Sequence, residues 1–181
     1  MIIDFSTIDS KEIYKLMSQN IIPRPIAWIV TENKFINVAP FSYFTGVSSK
    51  PPLLMVSIGR NKKGLNEPKD TFKNIKETKK CSVCLVSTNM ANKVEKTKEE
   101  LPFGISEAEK FNIELQKIEE DFPPIIKGCN IAFFTTLYGT FENDEMATIP
   151  FFLKIEKMYY GKDFNNPLAR VGSNYAKICE I

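Results

Sequence analysis

Proline placement limits this chain more than any other feature. "IIPRPIAWIVT" carries Pro23 and Pro25, and "SSKPPLLMVSIG" carries Pro51 and Pro52, each directly ahead of an apolar run. Proline lacks the N–H that a helix interior needs and pushes the preceding residue out of the helical region. Pro23 and Pro25 therefore force an extended entry into the first run, and "SSKPP" interrupts the chain ahead of the second. Ile26–Thr31 reads as a strand, "ENKF" as a polar turn, and Ile36–Pro40 as the return strand of a hairpin. Phe41–Val47 stays extended until "SSKPP" breaks it. "LLMVSIG" is a short, almost wholly apolar strand suited to burial on both faces.

Helical signals lie between these strands. In "DSKEIYKLMSQ", Asp9 is placed to cap and Glu12 completes a capping box, with Ile13, Leu16 and Met17 on one face. "RNKKGLNEP" reads as a loop. "KDTFKNIKETKK" is a helix capped by Asp70 or Thr71 and closed by lysines that suit its negative end. "CSVCLVS" is another strand. Asn89–Lys117 is polar and reads as two helical pieces split by "LPFGIS", with Ser106 and Glu109 as a second capping box. "DFPPIIKG" is an extended linker. "CNIAFFTTLYGTFE" and "IPFFLKIEKMYYG" are long strands able to pair across "NDEMAT", and the tail is irregular until a final strand. Short strands with interposed helices and no internal repeat point to one mainly β domain, residues 1–181, built as a β-barrel with flanking helices.

Composition narrows the chemistry. The chain has no histidine, which excludes Ser-His-Asp and Cys-His catalysis, histidine metal ligands and a histidine base. Neither G-x-G-x-x-G nor G-x-x-x-x-G-K-[ST] occurs, so no Rossmann or P-loop site is signalled. A net charge of +2 does not argue for nucleic acid or an anionic membrane, and no apolar run is long enough to span a bilayer. "MIIDFSTIDS" lacks a secretory pattern, so a cytoplasmic setting is expected. Cys81 and Cys84 have redox spacing, but on a strand positions i and i+3 face opposite ways, so buried, reduced thiols are expected.

One polar cluster stands out in the apolar background. Ser48, Ser49 and Lys50 sit at a strand end where proline stops the ladder, offering hydroxyls and an ammonium to an anion. The helix start at Asp70-Thr71 offers free amides and the positive end of a dipole. Arg24, between two prolines, is a third candidate. "NVAPFS", residues 37–42, has the small residues and amide that let a flat ligand lie against backbone. Each feature also has a plain structural reading: a turn, a cap, a solvated arginine.

In order along the chain, "PRPIAW", "NVAPFS", "SSKPPL", "KDTFKNIKET" and "CSVCLVS" closely resemble the flavin reductase-like, FMN-binding split-barrel family, in particular its flavoredoxin-like branch. "PLARVGSNY" resembles that family's late Arg-x-Gly…Tyr segment. The resemblance implies a Greek-key split barrel, a homodimer, and non-covalent FMN near the subunit interface. It implies that Asn37, Ala39, Pro40, Phe41 and Ser42 line the ring and ribityl chain. Ser48, Ser49 and Lys50 would meet the phosphate or its approach, supported by Arg24, Asp70 and Thr71. The activity implied is an NAD(P)H-dependent flavin reductase or oxidoreductase with no catalytic side chain of its own. The alternatives are an FMN electron carrier working with an electron-transfer protein partner, or a barrel that has lost its cofactor.

Overall fold

The computed structural model describes residues 1–63, 67–161 and 166–179, so the middle of the expected loop "RNKKGLNEP" lies outside the described residues. Helix α1 spans Ser10–Asn20, and the Asp9 carboxylate caps it by accepting from the Glu12 N–H at 2.8 Å. The proline-led segments are strands: β1 (Arg24–Pro25), β2 (Ala27–Glu32), β3 (Ile36–Phe41), β4 (Phe44–Ser49) and β5 (Pro52–Gly59). Helix α2 (Asp70–Thr78) leads into β6 (Lys80–Leu85). Two short helices follow, α3 (Ala91–Lys96) and α4 (Glu107–Lys110), then the two-residue strands β7 (Leu115–Gln116) and β8 (Ile125–Ile126). The chain continues with β9 (Ile131–Thr140), β10 (Thr148–Tyr160), β11 (Leu168–Val171) and β12 (Asn174–Lys177).

Seven strands make one antiparallel sheet in the order β3-β2-β6-β9-β10-β5-β4. β6, β9 and β10 form a meander, and β5, earlier in the chain, pairs on its far side with β10, a Greek-key arrangement. β3 and β4 are the two edges of this sheet, yet only Ser42 and Tyr43 separate them in the chain. The sheet must therefore curl until its edges meet at that corner. Register shifts in β9–β10 and β4–β5 supply the bends. The result is the mainly β barrel with flanking helices that the sequence predicts.

Side-chain alternation divides the core in two. Ala27 and Ile29 of β2, Cys81 and Val83 of β6 and Phe151 and Leu153 of β10 fill the barrel, closed by Ile75 of α2. Trp28, Val30 and Cys84 face outward and are covered by Val94 of α3, Ala108 of α4 and Ile125 of β8. Fully burying side chains of this size is worth roughly 1.5–3 kcal/mol each. Trp28 satisfies its indole N–H on the Thr97 hydroxyl at 2.9 Å, which ties the helical insert to the outer face. Cys81 and Cys84 lie in different halves of the core, as strand geometry requires.

Three local expectations change. The tail is a hairpin, β11–β12, whose β11 pairs with β1 in a separate three-stranded sheet. The insert is less helical than its composition implies, because β7 and β8 pair across it. Ser106 precedes α4 but makes no capping bond; its hydroxyl is buried without a hydrogen-bond partner. Among the described residues no helix is long and apolar enough to cross a membrane.

Candidate functional site

A cavity of about 420 Å³ opens along the free edge of β3, between that strand, the first turn of α2 and the segments around α3 and α4. Its floor is Asn37, Ala39, Pro40 and Phe41. The Val38 N–H points away from β2, where the Glu107 carboxylate accepts it at 3.0 Å. Along an antiparallel edge, alternate residues turn their backbone groups the same way, so Pro40 also faces outward. Proline has no N–H to offer there, so the edge keeps acceptor carbonyls without a second donor. That is the complement of a flat ligand with an N–H on its rim.

The opposite wall is densely charged, with lysines and carboxylates, Glu99 among them, interspersed. Lys62, Lys63, Lys69 and Lys98 line it together with Asp70, Thr71, Glu100 and Glu107. Lys62 is 5% exposed, pairs with Asp70 at 3.1 Å, and donates to the Leu101 carbonyl at 2.8 Å. Glu100 bridges the Lys69 ammonium at 2.7 Å and the Lys63 backbone N–H at 2.5 Å. The Asn37 amide donates to the Thr71 hydroxyl at 2.8 Å, while the Asn74 amide donates to Thr31 at 3.0 Å. Because Thr71 is used as an acceptor there, its own proton is left to donate elsewhere.

Burial is the main cause that pushes the Glu107 carboxyl up to about 6; Asp70 adds to it, and the Val38 N–H and Lys62 oppose it. Glu100 goes the other way: Lys69 and the Lys63 N–H hold its carboxyl below the usual range despite desolvation.

Asn37, Ala39, Pro40, Phe41, Asp70 and Thr71 meet in this cavity, as the sequence reading groups them. Neither Asp70 nor Thr71 caps α2, however. Lys69 holds the N-cap position without a side-chain bond, and Asp70 turns instead to Lys62. Arg24 stands elsewhere, buried, with its guanidinium on the carbonyls of Ser18, Ile21 and Gly172. Ser42 sits at the β3–β4 corner, 3.5 Å from the Arg24 Nε. Ser48 and Ser49 end β4 and Lys50 begins the β4–β5 turn, all exposed and outside the cavity, and the Ser48 hydroxyl accepts the Lys50 N–H at 3.2 Å. Sequence reasoning missed Lys62, Lys69, Glu100 and Glu107. The "KKGLNEPKD" run was the available signal for the lysines, but it reads first as solvated surface. Among the described residues no group of histidine, cysteine, aspartate or glutamate is placed to hold a metal ion.

A model of the flavin reductase like domain family matches residues 17–178. An uncharacterised protein of Aquifex aeolicus is 32% identical over 178 residues, covering 92% of this chain and 90% of that protein. The crystal structure of nitrilotriacetate monooxygenase component B from Bacillus cereus superposes with a TM-score of 0.90 at 27% identity, covering 100% of this chain and 96% of the other. A Shewanella frigidimarina protein named for its split barrel domain gives a TM-score of 0.84 at 16% identity, over 100% of this chain and 96% of that one.

Proposed function

Because the chain belongs to the flavin reductase-like family, we propose that it is an FMN-dependent oxidoreductase that takes hydride from NADH or NADPH. The observation that carries this reading is the cavity itself: a strand edge of bare carbonyls facing a wall of lysines, a hydroxyl and the first turn of α2. Its volume is in the range of small-molecule sites, roughly 300–1,000 Å³. Asn37–Phe41 would hold the flavin ring, the β3 carbonyls accepting from its rim. Thr71, the lysines and the free amides of the first turn of α2 would hold the phosphate.

The bound flavin supplies the hydride-accepting chemistry, so the chain needs no acid–base residue, in keeping with its lack of histidine. The protein's residues bind and orient. Asn37 fixes the Thr71 hydroxyl, and Glu107 fixes the edge of β3. Ser48, Ser49 and Lys50, exposed at the end of β4 beside the exposed Val47, could reach a flavin only from a second copy, as a homodimer would allow. Free thiols at all four cysteines suit a reducing, cytoplasmic setting.

The test is a visible spectrum of the purified full chain, followed by anaerobic mixing with NADH or NADPH. A flavin band released on denaturation, and bleached directly by the nicotinamide, is the expected result. A flavin band that neither nicotinamide bleaches would identify an electron carrier that relies on a protein partner. A colourless chain that takes up no FMN would end the proposal.

A further inference from the structure

The cavity's deep wall holds three ionisable side chains withdrawn from solvent: Lys62, Asp70 and Glu107. Lys62 is committed to Asp70 and to the Leu101 carbonyl, while Glu107 is held by the Val38 N–H. Most of the other charged side chains at the cavity have their own partners; the Lys63 ammonium forms no ion pair among the described residues and acts on Glu100 only through its field. On the β5–α2 side, Glu100 takes Lys69 and the Lys63 N–H. After α3, Lys98 pairs with Glu95 and Glu99 with Lys110, each at 2.6 Å. Among the described residues no ion pair holds Glu107: the field of Lys62 opposes burial without outweighing it, and burial pushes the carboxyl up to about 6.

A dinegative ligand seated in this cavity would add to the negative field on Glu107, and in a poorly screened site like charges disfavour the ionised carboxyl. This inference rests on the flavin reading above. We propose that Glu107 is the proton-uptake residue of the cavity: as a phosphate-bearing flavin is seated, its carboxylate takes one proton from solvent and keeps the Val38 N–H on the remaining carbonyl oxygen. One O–H bond forms, the solvent or buffer supplies the proton, and no electrons move.

The test is calorimetric titration of the full chain with FMN at about pH 7.5, in two buffers of different ionisation enthalpy. The phosphate, with its second pKa near 6, is already dianionic there, and any proton it lost would count with the opposite sign. The expected result is uptake of roughly half a proton or more per FMN, falling to near zero in Glu107→Gln. Riboflavin, which lacks the phosphate, should take up far less with the unaltered protein, a comparison that holds even where the variant fails to fold. FMN binding without a buffer-dependent heat, or uptake that survives Glu107→Gln, or equal uptake with riboflavin, overturns the inference and leaves the flavin reading standing. No FMN uptake, checked by the visible spectrum of the dialysed mixture, overturns both.

Discussion

The Asn37 amide and the Thr71 hydroxyl meet at 2.8 Å, joining the edge strand β3 to the first turn of α2 across the head of the cavity. Removing the hydroxyl while keeping the shape, in Thr71→Val, strands a buried amide donor and deletes a donor to the ligand. A stability loss of about 1–3 kcal/mol is expected from the first effect. FMN affinity is expected to fall about tenfold more than riboflavin affinity, the equivalent of about 1.4 kcal/mol at the phosphate. Thr71→Ser should restore most of both. Fluorescence titration with the two flavins checks it; equal losses would remove Thr71 from the phosphate end.

Lys62 and Asp70 form a pair in which neither member reaches water. Lys62→Met leaves a buried carboxylate uncompensated and should lower stability by about 3–5 kcal/mol in urea unfolding. Adding Asp70→Asn should return most of that loss, since the pair's attraction and its desolvation largely offset. The double variant should still bind FMN weakly, because the ammonium is gone. If stability fails to recover, the two residues are not coupled as their geometry indicates.

Glu107 gives a pH signature. Burial holds its carboxyl at about 6 against an ordinary 4.5, so the folded chain keeps a proton that the unfolded chain has released in that window. Its contribution to stability is complete below pH 4.5 and is lost as pH rises through about 6. The loss is about 2 kcal/mol. Several surface carboxylates are shifted downward and act in the opposite sense, so the relevant quantity is the difference between wild type and Glu107→Gln. Relative to wild type, the variant should gain about 2 kcal/mol between pH 4.5 and 7 in denaturant unfolding. A flat difference would remove Glu107 from the titration.

The thiols offer a simple check of the core. Burial pushes Cys81 up to about 12, and Cys129 is raised through its neighbour Cys84 and by burial, while Cys179 alone is exposed. Alkylation of the native protein at pH 8 should modify Cys179 first, with the other three becoming reactive only on denaturation. Fast native labelling of Cys84 would contradict its burial.

Much of this architecture is legible in the sequence, and for a definite reason. Proline and alternating apolar residues act over a few neighbours, so β2, β3 and β5 can be read from "PIAWIV", "INVAPF" and "PLLMVSIG" alone. The cavity is harder to read, because its walls come from segments far apart in the chain. Asn37 and Thr71 can be named from local composition, but Lys62 looks like any loop lysine until Asp70 and Leu101 enclose it. Glu107 is hidden for the same reason: its partner is a backbone N–H on a strand 69 residues away. Arg24 shows the reverse error. A guanidinium between prolines invites an anion, yet the turn at Gly172 captures it.

That capture joins the two ends of the chain. Gly172 adopts φ +56, and its N–H donates to the Ser18 carbonyl at 3.2 Å while its own carbonyl receives Arg24. A side chain there would be strained and would press on Gln19. The leading helix and the trailing hairpin are thus latched through one guanidinium, so trimming either terminus should loosen the other. A protease that nicks the amino-terminal arm should loosen the Gly172 turn first, while Leu168, buried in the core and bonded to the Val86 carbonyl, keeps the base of the ribbon on the barrel.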